Sequence, residues 1–273
     1  MNAAGGRWGD LRPRMVSAVV MIAVGALEIW LGGASFSALV IALTAVMVWE
    51  LATITGGVLA PTAPPRRRGT PLVIAAVAGL MLTATFVLVA PFAPVLLLVP
   101  SLLLALTPRR DRRIASAYGA AIMLAGYGLV WLRDGMGTPA ILWIVAVVIV
   151  SDISGYFAGR TIGGPKFWPA ISPKKTWSGT VAGWIGALLV GVAFVLMDRA
   201  GWGLVLLSPF VAFAGQLGDI AESWIKRRTG VKDSSGLIPG HGGVMDRFDA
   251  MIGAMCLILL LGLILPLPLP LAR

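Results

Sequence analysis

Apolar runs of about 20 residues recur from Met15 almost to the C-terminus, and each is about the length a helix needs to cross a hydrocarbon core of roughly 30 Å. Lipid offers no water to backbone N–H and C=O groups, so each run must satisfy its own hydrogen bonds, which a helix does. A soluble globule is excluded by charge. Only 12% of residues are charged and mean hydropathy is +0.90, whereas soluble domains carry about twice that charged fraction. The expected fold class is all-α, a polytopic transmembrane helical protein.

Charge clusters and Pro/Gly punctuation divide the runs into nine candidate spans, at about 15–32, 35–55, 71–90, 92–107, 114–132, 139–158, 178–197, 203–223 and 250–270. Pro91 and Pro94 separate the third from the fourth. With the N-terminus in the cytoplasm, 19 of the 22 lysines and arginines fall on cytoplasmic segments, and only Arg133, Arg199 and Arg273 fall outside. That partition follows the positive-inside rule and sets the orientation. The clusters Arg66, Arg67, Arg68 and Arg109, Arg110, Arg112, Arg113 need no cause beyond topology and anionic headgroups, so the net charge of +10 does not call for nucleic acid. Arg7, Arg12 and Arg14 ahead of the first run look like the start of a signal peptide, but the run is long and lacks a small-x-small exit, so no cleavage is expected. The one cysteine, Cys256, excludes an intrachain disulfide. The chain reads as one integral membrane domain over residues 1–273, with N-terminal spans to about 135. Catalytic spans occupy 136–273, with cytoplasmic loops 159–177 and 224–249.

Ionisable groups inside spans cost a few kcal/mol each on insertion scales, and Glu28, Glu50, Asp152, Asp219 and Glu222 therefore need reasons. Glu50, near a cytoplasmic span end, is expected to reach headgroups or a neighbouring arginine, and Glu28 to snorkel or bond a helix neighbour. In "DISGYFAGR", Gly155 and Gly159 form a small-xxx-small surface for close helix approach. Asp152 and Tyr156 share that face, which turns them towards the bundle interior. In "GQLGDIAESWIKRR", Asp219, Glu222, Ser223 and Lys226 fall at i, i+3, i+4 and i+7, so one helix face offers two carboxylates, a hydroxyl and an ammonium.

Between Lys226 and Asp249 the chain reads "KRRTGVKDSSGLIPGHGGVMDRFDA". Its glycines, Gly242 and Gly243 among them, bring backbone N–H groups close to an oxyanion, and Lys226, Arg227 and Lys232 supply cations. Phosphate is the natural guest. Asp246 and Asp249 stand at i, i+3 where the last span starts, with Arg247 on another face. Asp219 and Asp246, with Asp249 as helper, make a hard-cation site; oxygen ligands beside phosphate-binding groups favour Mg²⁺. Capping of the last helix by Asp246 and Asp249 stays open as an alternative. One histidine and one distant cysteine give zinc no ligand cluster. His241, between glycines, is expected to bind phosphate. The other loop adds Lys174 and Lys175, with Thr176 or Ser178 capping the helix that follows.

Ser223, Lys226, Arg227, Lys232, Asp233, Ser235, Ile238, Pro239, His241, Gly242, Gly243, Asp246, Arg247, Phe248 and Asp249 together resemble the signature of the phosphatidate cytidylyltransferases, the CDP-diacylglycerol synthases. "SDISGYFAGRTIGG" and "ISPKKTW" are similar to the same family, in which a glutamate often stands where this chain has Ser178. The resemblance covers residues 150–250 strongly and the earlier spans by layout. It implies that CTP and phosphatidate condense to CDP-diacylglycerol and pyrophosphate with Mg²⁺, in a cavity open to the cytoplasm of a homodimer. A bacterial inner membrane is the expected location. On this reading Asp219, Asp246, Asp249 and Lys226 carry catalysis. Lys174, Lys175, Ser223, Arg227, Lys232, His241, Gly242, Gly243, Arg247 and Asp152 bind substrate, with room for a second, monovalent cation. Two rivals remain: a CTP-dependent polyprenol kinase, which would release CDP, and an ion-coupled transporter using Asp152, Asp219 and Glu222. Polar groups gathered in the cytoplasmic half, without paired broken helices, weigh against transport.

Overall fold

A computed structural model describes residues 11–56, 69–88, 90–109 and 111–271. Arg7, Arg66, Arg67, Arg68, Arg110 and Arg273, used above to orient the chain, lie outside the described residues. The elements are α1 (Leu11–Leu31), α2 (Gly33–Ile54), α3 (Thr70–Val87), a 3₁₀ segment Ala93–Leu98 leading into α4 (Val99–Leu106), and α5 (Arg112–Trp131) with a π turn at Leu132–Met136. Then follow α6 (Thr138–Thr161), β1 (Lys166–Trp168), β2 (Ser172–Thr176), α7 (Trp177–Leu196), α8 (Gly203–Thr229) and α9 (Met245–Gly262).

Seven described helices are long and apolar enough to cross a membrane: α1, α2, α3, α5 with its π turn, α6, α7 and α8. The chain is therefore an all-α integral membrane protein. Met15, Val19, Ile22 and Trp30 of α1 are exposed, an apolar surface suited to lipid. The stretch read as a fourth span is a shorter apolar helix, Ala93–Leu106, whose 3₁₀ start carries Pro94. The stretch read as a ninth, 250–270, is helical only to Gly262. Pro266, Pro268 and Pro270 lie beyond it, and prolines at every second position, each lacking an N–H and crowding the preceding turn, disfavour a helix there.

The chain divides into two compact units. The first comprises residues up to Ala120 together with Thr229–Phe248. Its core forms on α2, where Val48, Leu51 and Ala52 are fully buried. A Cβ at Gly79 of α3 would meet Ala45 and Ile41 of α2 at 3.7 and 3.8 Å, ordinary contact between close-packed helices. Arg109, read from sequence as part of a topological cluster, is buried. Its guanidinium donates to the Ala52 carbonyl and to Thr55 and Thr107 hydroxyls at 3.4, 2.7 and 2.6 Å. It closes the C-terminus of α2, where unpaired carbonyls and the negative end of the helix dipole favour a cation.

The second unit comprises Ala121–Arg228 and Asp249–Arg273. Here α6 and α7 meet backbone to backbone: a Cβ at Gly155 would stand 3.1 Å from the Gly179 carbonyl, and one at Gly159 2.9 Å from Thr176 Oγ1. The small-residue surface read from the sequence is thus a packing surface. Trp143, wholly buried on α6, donates its indole N–H to Ser208 of α8 at 3.0 Å. The antiparallel β1–β2 hairpin pairs Lys166 with Thr176 and Trp168 with Ser172. Thr176 ends β2 and caps α7, accepting from the Gly179 N–H at 3.2 Å. Ser178 instead donates to the Gly163 carbonyl.

Candidate active site

In the second unit the glycines of α8 and α9 bring two helices close enough for their carboxylates to meet. A Cβ at Gly218 would strike the Asp249 carbonyl, and one at Gly253 the Ala214 carbonyl; Gly215 faces the Ala250 carbonyl at 3.2 Å. With backbones in contact, Asp219, Glu222 and Asp249 each place a carboxylate oxygen within 4.8 Å of the other two. Glu222 is fully buried; Asp219 and Asp249 are half-buried. A valine at 253 would force the helices apart. Gly253→Val is expected to lower the melting temperature, at the 1–3 kcal/mol typical of an overpacked core, and to abolish turnover. An unchanged melting curve with normal turnover would show that the crossing tolerates a side chain.

Three carboxylates so close repel one another, and two lysines oppose that. Lys175 pairs with Asp219 and also donates to the Gln216 carbonyl at 3.4 Å. Lys226 pairs with Glu222 at 2.7 Å. Ser223 donates to Asp219 at 3.2 Å, and Asp249 accepts from the Ala250 N–H at 2.7 Å. The group sets three carboxylates against two ammonium groups and offers the cation only oxygen donors. That composition fits a hard divalent cation such as Mg²⁺. Asp152 feels the charges of Lys175 and Asp219 and is exposed. Tyr156 is also exposed and accepts from Arg160 at 2.7 Å; the packed side of α6 expected for it is occupied by Gly155 and Gly159. Lys174 and Arg227 are exposed, on β2 and in the last turn of α8.

In the first unit the glycine-rich loop is organised by two acids. Glu50, at the end of α2, accepts from the backbone N–H groups of Val244 and Met245 at 2.9 and 2.7 Å, from Ser234 at 3.2 Å and from Ser235. It is wholly buried and occupies the N-terminus of α9. Glu50 is thus buried away from headgroups and pairs with no described arginine: backbone N–H groups and serine hydroxyls of the loop face its oxygens, and the helix dipole favours its charge. Asp246 Oδ2 accepts from the N–H groups of Ser234 and Gly243 at 2.9 and 2.7 Å and lies 3.0 Å from the Ser234 hydroxyl, whose single proton it shares with Glu50. Gly243 has no room for a side chain, since Ser234 Oγ and the Glu50 carboxylate crowd its Cβ position.

Lys232, His241, Gly242 and Arg247 line a cavity of about 400 Å³, and Arg14 of α1 lines it with them. The sequence-predicted residues therefore fall into two groups. Asp219, Asp249, Lys175, Lys226 and Ser223 gather in the second unit, Lys232, His241, Gly242, Gly243, Asp246 and Arg247 in the first. Reading by sequence put Glu222 on one face with Asp219 but left it out of the cation site, naming Asp246 instead, which is taken up by Ser234 and Gly243 of the loop. It also missed Glu50 and Arg14 as neighbours of the loop, and no local pattern could reveal contacts that span such separations.

The sequence profile of the Cytidylyltransferase family matches residues 12–265. A Brucella abortus protein named phosphatidate cytidylyltransferase is 35% identical over 272 residues, covering 95% of this chain and 96% of its own. A Staphylococcus saprophyticus protein of that name is 41% identical over 137 residues, 48% of this chain and 53% of its own. One from Haemophilus influenzae is 41% identical over 126 residues, 44% of each chain.

Proposed function

Because the chain belongs to the cytidylyltransferase family, we propose that it transfers the cytidylyl group of CTP to phosphatidate, giving CDP-diacylglycerol and pyrophosphate for phospholipid synthesis. The observation that carries this reading is the 35% identity to a phosphatidate cytidylyltransferase along 95% of the chain. The phosphate oxygen of phosphatidate attacks the α-phosphorus of CTP as the bond to pyrophosphate breaks. No strong general base is needed, because the attacking phosphate is already anionic at neutral pH.

Asp219, Glu222 and Asp249 are the residues we assign to Mg²⁺. When bound there, the ion supplies charge neutralisation for the triphosphate and for the leaving pyrophosphate. Lys175 and Lys226 offset the charge of the carboxylates they pair with, and each can exchange its carboxylate for a substrate phosphate. Lys174 and Arg227, exposed beside them in sequence, and Lys232, His241 and Arg247 in the loop bind phosphate oxygens, helped by the Gly242 and Gly243 backbone. Asp246 and Glu50 hold the loop in shape, and Asp152 borders the carboxylate group on its exposed side.

The finer topology belongs to the same reading. Counting the shorter apolar stretch Ala93–Leu106 and α9 gives nine crossings, and the basic partition supports a cytoplasmic N-terminus and active site. One membrane domain carries the whole activity, in a bacterial inner membrane and as a homodimer. Bacterial relatives support the first of these and the family resemblance the second. The test is incubation of purified protein with labelled CTP and phosphatidate. CDP-diacylglycerol and equimolar pyrophosphate are expected, and chelation by EDTA should stop both until Mg²⁺ is restored. Formation of CDP and a phosphorylated alcohol would point to a lipid kinase, and absence of turnover with every lipid to a transporter.

A further inference from the structure

Arg14 and Ser17 stand one turn apart on α1 and touch a loop more than 200 residues away. Ser17 Oγ lies 2.8 Å from His241 Nδ1. It also lies 2.9, 3.1 and 3.1 Å from the carbonyl oxygens of Pro13, Arg14 and Pro239. A hydroxyl has one proton, and carbonyls only accept. The proton therefore goes to a carbonyl, as serines in helices commonly arrange, and Oγ accepts from Nδ1–H of His241. That contact selects the Nδ1–H tautomer and leaves Nε2 an acceptor, able to bond the P–O–H of a monoprotonated phosphate.

The loop is built to allow this approach. His241 N–H donates to the Ile238 carbonyl at 2.9 Å and Ile238 N–H to the Gly242 carbonyl at 2.8 Å. The turn needs φ of +75° at Gly240 and +86° at Gly242, values side chains disfavour. At Gly240 the space for a Cβ is already taken by Arg14 Cγ. Around the resulting cavity stand Arg14, Lys232, His241 and Arg247, with Asp233 the one acid among its lining residues. Neither arginine nor Lys232 forms an ion pair with another described residue. Three cations gathered without partners repel, and a multivalent oxyanion that bonds several at once relieves this. A cavity near 400 Å³ is at the small end of ligand pockets, ample for a phosphate or pyrophosphate group.

We propose that Arg14 binds substrate phosphate in a cradle completed by Lys232, His241 and Arg247, and that Ser17 is a positioning residue that presents Nε2 of His241, as acceptor, to a P–O–H of that phosphate. This role rests on the cytidylyl-transfer reading and adds α1 to its phosphate-binding set. Phosphate chemistry reaches the cradle from one of two sources: the phosphoanhydride of CTP and pyrophosphate, or the phosphomonoester of phosphatidate.

His241 is the one histidine of the chain, so isotope-labelled histidine gives a single imidazole spectrum from the full protein in micelles. Wild type should show the Nδ1–H tautomer. Ser17→Ala should move it to Nε2–H, and Ser17→Thr should restore it. Titration with inorganic pyrophosphate, or with short-chain phosphatidate, should shift the Nε2 resonance. Arg14→Gln should raise the apparent Kd about tenfold or more, the size of a lost charge-assisted contact, and Arg14→Lys less. A response to pyrophosphate assigns the water-borne source and a response to phosphatidate the lipid one; both support the cradle. No response to either, an unaltered Kd in Arg14→Gln, or the same tautomer in wild type and Ser17→Ala would overturn it. Turnover of CTP and phosphatidate is read separately. A wild type that binds pyrophosphate but makes no CDP-lipid sinks the cytidylyltransferase reading and leaves the cradle standing. Normal synthesis and binding in Arg14→Gln does the reverse.

Discussion

Asp219→Asn should lower CDP-diacylglycerol synthesis by on the order of 10²–10³-fold while the protein stays folded. The loss is of the size expected when one electrostatic contact to a phosphoryl transition state is removed. Stability should not fall with it. Asp219, Glu222 and Asp249 crowd their oxygens within 4.8 Å of one another, so removing one charge relieves repulsion, at the expense of the pair with Lys175. Activity and stability therefore separate, as they would not for a substitution that disrupts packing. The measurements are CDP-lipid formation across Mg²⁺ concentrations, Mn²⁺ binding by electron spin resonance, and a thermal melt. The cation assignment fails if the variant works at wild-type rate with an unchanged Mg²⁺ requirement.

Glu50→Ala should be as damaging by another route. Two backbone N–H groups at the start of α9 and the Ser235 hydroxyl converge on that carboxylate, and the Ser234 hydroxyl is shared between it and Asp246. Each buried donor left unpaired costs about 1–3 kcal/mol, so the three that lose their acceptor amount to a large share of the stability of a typical domain, about 5–15 kcal/mol. Local opening costs less than keeping them buried, and the loop between Lys232 and Met245 should open. Tryptic cleavage at Lys232 and amide exchange at Val244 and Met245 should rise, and synthesis should fall about a hundredfold. Glu50→Gln keeps one accepting oxygen and should fall between. Equal protection of the loop in wild type and Glu50→Ala would show that water or another group replaces the carboxylate.

Much of the chemistry was legible along the chain because it is local. The i, i+3, i+7 spacing of Asp219, Glu222 and Lys226 follows from 3.6 residues per turn, and the structure keeps all three on the face of α8 that meets α9. The packing role of Gly155 and Gly159 was legible for the same reason. Tyr156 was not, since spacing identifies a face but does not say how far its contact with a neighbour extends. Glu50 read as a carboxylate at a span end, reaching headgroups or a neighbouring arginine. Its partners are residues 234, 235, 244 and 245, and nothing within a turn of Glu50 signals them.

The sequence by itself determined that the chain lives in a membrane, because span length and charge scarcity are set by the bilayer as solvent. It also determined the family chemistry, because the loop signature is contiguous. Only the tertiary structure decided which acids act together. Gly215, Gly218 and Gly253 let α8 and α9 approach until Asp219, Glu222 and Asp249 form one group. Helix α2 supplies the carboxylate that holds the glycine loop, and α1 the serine that orients its histidine. A helix fixes the direction of its side chains through its own hydrogen bonds, but what those side chains meet depends on how closely, and at what register, another helix can pack.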